Sequence, residues 1–262
     1  MKFSRFFFIV SAILLVACSA KKTQKSLSFE AEPLSEQAGI QYQFGFEFYQ
    51  QGDLIRALTA ILRATELSPK NPDAQNLLGL IYFRQQEYAK AEQAFQRAIE
   101  LNPKMSEAYN NLGTLYYDQA RLEEARAALL SALENPLYLY PERIYNNLGL
   151  VYSAMKLNLE AREAYEKAIR LRPEYYLPYL NLGKFWLEQG DYQSAKPLFR
   201  EAEKLCDLCS EPKYQLAQIF LKENLSQEAE KLLKQAFEID PRGYYGQLAR
   251  KFLIENGRMK DE

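Results

Sequence analysis

The chain has 262 residues, 33 of them Lys or Arg and 34 Asp or Glu, with a formal net charge of −1 at pH 7. So balanced a charge, with no basic stripe, excludes a global pull towards nucleic acid or anionic lipid. Histidine is absent, which removes Ser-His-Asp and Cys-His catalysis and every imidazole metal ligand. No catalytic residue, metal or cofactor is expected, while the 48% hydrophobic content suffices for a continuous core.

In chain order, Lys2 and Arg5 come first, followed by an apolar run from Phe6 to Val16 broken only by Ser11. A spanning helix needs about 20 apolar residues. This run is too short, and its positive start marks a secretory signal. The run ends Leu15-Val16-Ala17-Cys18, which resembles a bacterial lipoprotein lipobox. The resemblance implies a signal peptide over 1–17 and lipidation at Cys18, whose diacyl and amide-linked chains would anchor the protein firmly. An ordinary signal with a chance cysteine and an uncleaved anchor are the alternatives. Ser19, in place of Asp, resembles the outer-membrane sorting class, so the expected location is the periplasmic face of the outer membrane. Residues 18–37 are rich in Lys, Ser, Glu and Gln and read as a flexible tether.

A repeat then begins. Gly45, Gly79, Gly113, Gly149 and Gly183 stand at intervals of 34, 34, 36 and 34 residues, and Ala217 continues the series. Three residues after each beat comes a large ring (Phe48, Tyr82, Tyr116, Tyr152, Trp186, Phe220), and twelve after it an alanine (Ala57, Ala91, Ala125, Ala161, Ala195, Ala229). Pro69, Pro103, Pro173 and Pro241 close four of the six units. The pattern is the tetratricopeptide (TPR) signature at its own period. It predicts an all-α fold, a right-handed superhelix of six helix-turn-helix units over 38–71, 72–105, 106–139, 142–175, 176–209 and 210–243. Each beat glycine would let the two helices of a unit approach, opposite the small alanine, with the ring filling the space between them. Residues 244–262 hold a capping helix, with Tyr244, Leu248, Phe252 and Leu253 near one face.

Cys206 and Cys209 form a CxxC that fits three chemistries. A redox dithiol would want a helix N-terminus under the attacking thiol, but Cys206 follows the last core position of a helix, where the dipole disfavours thiolate. A zinc site would be half built. A structural disulfide suits an exported protein and is favoured: Asp207 stands where other units place proline, and a bridge would stiffen that turn.

In TPR proteins the first helix of each unit lines the concave side. Placing the family's inward positions on this chain nominates Tyr42, Phe46 and Tyr49 in unit one; Asn76, Leu77, Leu80, Phe83 and Arg84 in unit two; Asn110, Asn111, Thr114 and Tyr117 in unit three; Asn146, Asn147 and Leu150 in unit four; and Asn181 and Lys184 in unit five. The asparagines could hold a peptide backbone with donor and acceptor together. The aromatic N-terminal half suits an amphipathic helix or apolar strand. The Lys/Asn/Lys/Arg set of chaperone carboxylate clamps is missing, so a free C-terminus is not the expected ligand.

The only long break in rhythm is Asn135-Pro136-Leu137-Tyr138-Leu139-Tyr140-Pro141. An Asn/Asp-Pro-Leu-Tyr insert between units three and four, in a lipidated six-unit chain, resembles the type IV pilus biogenesis TPR lipoproteins, the outer-membrane pilotins. That resemblance implies secretin subunits as partners, promotion of secretin assembly as the role, and no small-molecule substrate or nucleic acid. A periplasmic TPR adaptor recruiting peptidoglycan hydrolases or proteases is the alternative with the same fold.

Overall fold

The computed structural model describes residues 36–260. Cys18, the signal segment and nearly all of the tether lie outside the described residues. Thirteen helices and no strand occur among the described residues: α1 Glu36–Gln50, α2 Leu54–Leu67, α3 Pro72–Arg84, α4 Tyr88–Leu101, α5 Ser106–Asp118, α6 Leu122–Ala132, α7 Pro141–Ala154, α8 Asn158–Leu171, α9 Tyr176–Glu188, α10 Tyr192–Leu205, α11 Ser210–Lys222, α12 Ser226–Ile239 and α13 Tyr244–Glu255. Each odd helix packs mainly on the next even one, each even helix on the following odd one, and α13 covers α12 and α11. The architecture is a TPR solenoid with a terminal extra helix. Helix α1 begins at Glu36, so the last two residues of the segment read as tether, Glu36 and Gln37, are helical; an acidic residue in the first turn complements the helix dipole there.

The beat glycines are packed differently from the expectation. A Cβ on Gly45 would lie 2.5 Å from Ile61, on Gly79 2.5 Å from Phe95, on Gly113 2.6 Å from Leu129, on Gly149 2.4 Å from Tyr165 and on Gly183 2.7 Å from Phe199. The residue that fills the glycine's space is therefore the large one on the even helix, four after the expected alanine. All five of these side chains are 0–1% exposed. They bury the full apolar payload of a core side chain, roughly 1.5–3 kcal/mol each. The rings three after the beat sit nearer the surface, and several carry a cation on one face, as Arg121 does over Tyr116 at 4.1 Å.

Turns between units share one geometry. The first residue's carbonyl accepts from the N–H three residues on: Asn71 to Ser68 (3.2 Å), Met105 to Asn102 (3.0 Å), Tyr175 to Arg172 (3.1 Å), Cys209 to Cys206 (3.1 Å) and Gly243 to Asp240 (3.2 Å). Proline fills the second place in four of the five, where its fixed φ suits a β-turn.

The insert replaces this turn between units three and four. Helix α6 stops at Ala132 and runs 11 residues, against 14 for the other even helices. The Asn135 side chain accepts from the Leu137 N–H at 3.1 Å and donates to the Lys104 carbonyl at 3.1 Å, tying the insert to the previous turn. The Tyr140 ring has the Arg143 guanidinium at 4.7 Å and that of Arg172 at 5.3 Å. Arg172 also pairs with the buried Glu142 at 2.7 Å.

In α13, Tyr244 is 71% exposed, whereas Gly246, Ala249 and Leu253 are buried. The inward tyrosine is Tyr245, one residue later, because the buried stripe runs through 245, 249 and 253 at helical spacing. Its hydroxyl donates to Glu211 and its ring packs 5.5 Å from that of Tyr214.

Candidate functional site

The odd helices stand side by side, α1 touching α3, α3 touching α5, α5 touching α7 and α7 touching α9. Their shared face contains the nominated residues, and these divide into three groups.

The first group is apolar and open. Tyr42 stacks on Phe46 at 6.5 Å with the rings 9° apart. Phe46 is 39% exposed. Tyr49 lies half-buried beneath the Arg84 guanidinium at 5.2 Å. Leu80 and Phe83 of α3 and Tyr117 of α5 are half-buried. Leu77 does not belong with them: only 3% exposed, it packs with Ala57, Ile61 and Ile81 inside the core. It holds the sixth place of its unit, the place of Asn111, Asn147 and Asn181, which faces the preceding unit; in unit two that place is apolar and is filled against unit one, in the cluster on which Tyr42 packs.

The second group is the asparagines, and the structure puts them to a different use. Asn111 Nδ2 donates to Asn76 Oδ1, Asn147 Nδ2 to Asn110 Oδ1 and Asn181 Nδ2 to Asn146 Oδ1, each at 2.9 Å. Thr114 Oγ1 accepts a further bond from Asn147 at 3.3 Å. Asn76 and Asn146 are buried. The sixth residue of one unit thus donates to the fifth of the unit before, at three successive junctions. Much of the capacity expected to hold a peptide joins repeat to repeat, which satisfies amides that would be costly to bury alone. Leu150 lies half-buried beside this ladder.

The third group is ionic. Lys184 Nζ contacts Glu211 Oε1 at 3.0 Å, and the same oxygen accepts from the Tyr245 hydroxyl. Burial, and then this carboxylate, raise the Tyr245 phenol well above its ordinary pKa. A shallow depression of about 280 Å³ joins Tyr117, Leu150, Asn181 and Lys184. A larger one, about 560 Å³, lies apart from them between α6, α7 and α8, with a rim of charged α8 side chains.

The Cys206 and Cys209 sulfurs are bonded to each other, with Cα atoms 5.4 Å apart. The bridge links the first and last residues of the turn, the pair the backbone hydrogen bond also joins. In this state neither sulfur is a free nucleophile. Among the described residues no group of three or more Cys, Asp or Glu could hold a metal ion, and no helix is long and apolar enough to cross a membrane.

A repeat whose units stack a row of helices into an open face defines a class of protein-interaction scaffold. Models of the tetratricopeptide repeat match residues 42–106 and 85–143, 142–175, and 187–252; the chain belongs to the tetratricopeptide repeat family. No curated protein matches it. Among solved structures it is similar to pilF of Pseudomonas aeruginosa, with 23% identity and a TM-score of 0.68 over 83% of this chain and 98% of that one. It is similar to PilW, described as a widely conserved type IV pilus biogenesis factor, with 21% identity and a TM-score of 0.72 over 82% and 99%. MamA is a third, at 26% identity and a TM-score of 0.52 over 66% and 93%. At these identities the first two likenesses are of fold.

Proposed function

We propose that this chain is a TPR lipoprotein, anchored through Cys18 at the periplasmic face of the outer membrane, that binds secretin subunits of a type IV pilus machine and promotes their assembly. The observation that carries the reading is the apolar stretch of α1 and α3, where Phe46, Tyr49, Leu80 and Phe83 keep accessible surface on the shared face of the odd helices. Adjacent aromatic and aliphatic side chains of this kind anchor an amphipathic partner segment. The likeness over nearly their whole length to pilF and PilW supports pilus biogenesis as the setting. Tethering by lipid would raise the local concentration of the scaffold around subunits arriving at the membrane. The groove would cover an apolar segment until subunits meet, and no chemical step is required.

The test is a strain lacking the gene, complemented with wild-type chain or with Phe46→Ala/Leu80→Ala/Phe83→Ala, and examined by gel for heat-resistant secretin multimers. Multimers should return with the wild type and not with the triple variant, while both chains accumulate equally. Normal multimers in the uncomplemented strain would refute the role.

A further inference from the structure

The groove carries a pattern of charge that states what its occupant brings. Besides Glu36 in α1, four odd helices carry a carboxylate in their first turn: Asp73 in α3, Glu107 in α5, the buried Glu142 in α7 and Glu211 in α11. Such a residue complements the helix dipole, which explains its presence but leaves open what faces its outer side. Glu142 is met by Arg172 at 2.7 Å. Glu211 is met by Lys184 at 3.0 Å, a lysine 27 residues earlier, on the odd helix of the preceding unit. The residues at that same separation from Asp73 and Glu107 are Phe46 and Leu80.

The chain therefore contains its own template for the site. In the last unit the first-turn carboxylate, Glu211, is neutralised by a cation reaching across from the neighbouring odd helix, whereas the Arg172 that meets the buried Glu142 comes from the end of the even helix α8. In the first three units the cation's place is taken by the open apolar residues. Among the described residues neither Asp73 nor Glu107 has an ion pair. Arg84 and Arg143 are turned onto the rings of Tyr49 and Tyr140. Both carboxylates act on one spot: burial first, then Asp73 and Glu107, raise the Tyr42 phenol pKa. Desolvation by its neighbours also pushes the Asp73 carboxyl up, although the residue keeps exposed surface, with no cation to offset it.

We propose that the segment held between α1, α3 and α5 is apolar and basic, laying apolar side chains on Phe46, Leu80 and Phe83 and directing a Lys or Arg at Asp73 and Glu107. This rests on the groove being the binding site. The ligand's cation takes the role that Lys184 plays towards Glu211. A charge-assisted contact of this sort is geometrically selective, and it rejects an acidic segment of the same apolar content through like-charge repulsion.

The test uses the full chain and two fluorescent amphipathic peptides with identical apolar residues, one with Arg and one with Glu at the polar positions. Fluorescence anisotropy should show the Arg peptide binding at least about fivefold more tightly. The preference should shrink with added salt and fall close to unity in Asp73→Asn/Glu107→Gln. Equal binding of the two peptides, abolished by Phe46→Ser/Phe83→Ser, would sink the charge assignment and leave the groove standing. So would a preference that survives in Asp73→Asn/Glu107→Gln. No binding of either peptide, or binding unaffected by Phe46→Ser/Phe83→Ser, would remove the groove reading and this inference with it.

Discussion

At the scale of the residue, the turn closing unit five shows two devices solving one problem. Ser68, Asn102, Arg172 and Asp240, each followed by proline, have φ/ψ of −138/79°, −140/90°, −145/89° and −138/75°. Cys206 has −138/82°. Its backbone matches that of the four residues that precede proline, and Asp207 stands where that proline would be. The cross-link does in the side chains what proline does in the main chain, which is to reduce the freedom of the unfolded turn. A closed loop this small is worth about 2 kcal/mol in the chain-entropy account. Proline at a compatible position is worth about 0.4–1 kcal/mol by the same route. Cys206→Ser/Cys209→Ser should therefore lower the urea midpoint of the C-terminal units, and adding Asp207→Pro should restore a part of it. Further destabilisation by the proline would show that the turn geometry differs once the bridge is gone. The prolines were readable in the sequence because each has one meaning at the end of a helix. The CxxC gave a preference among three chemistries, the structural disulfide, from the missing proline and the helix end before Cys206, and the bonded sulfurs agree with it. The large residue sixteen after each beat was overlooked: Ile, Phe, Leu and Tyr share no letter, only volume.

At the scale of the element, the hairpin inside each unit turns through one left-handed residue, seven after the beat: Gly52, Gln86, Ala120, Lys156, Gly190 and Asn224, with φ between 58° and 79°. Two of the six are glycine and one is asparagine, the residues that adopt this region at little cost. Ala120 carries a Cβ there with no side-chain hydrogen bond to offset it. Ala120→Gly removes about 1–2 kcal/mol of local strain and costs about 0.5–1 kcal/mol of chain entropy, so a net gain of about 0.5–1 kcal/mol is expected in chemical denaturation of the α5–α6 hairpin. An equal loss would mean that the hairpin relaxes around alanine without strain. The asparagine ladder belongs to this scale too. Helical period places Asn76, Asn110, Asn146 and the rest on one face. It says nothing about which residue of the next helix stands opposite, and here the partners are 35, 37 and 35 residues apart. The middle value absorbs the two extra residues of the insert. The open aromatics of α1 and α3 were legible from the family's positions, whereas the burial of Leu77 depended on what unit one sets against the sixth place of unit two, which spacing within one helix does not tell.

At the scale of the whole molecule, each unit touches only its neighbours, so stability is a sum of unit and junction contributions, and the last junction is made by α13. Leu233 and Ala236 of α12 are 0% exposed, as are Ala249 and Leu253 of α13, in one apolar cluster. Tyr245 adds a bond to Glu211, the carboxylate that also receives Lys184. Ending the chain after Gly243 removes one apolar face and wets the other. With at least two leucine-sized side chains lost to burial at about 1.5–3 kcal/mol each, the local cost is roughly 3–6 kcal/mol. In a continuous core the damage would spread to every element; in a linear array it stays near the cut. Amide exchange in α11 and α12 of the truncated chain should therefore accelerate by about a hundredfold or more, while amides in α3 to α8 keep their protection. Peptide binding to the α1–α3–α5 stretch should be unchanged, since none of its residues contacts α13. Uniform acceleration from α3 to α12 would show instead that the six units fold as one cooperative block, and binding at the far end would then fall with the loss of the last helix.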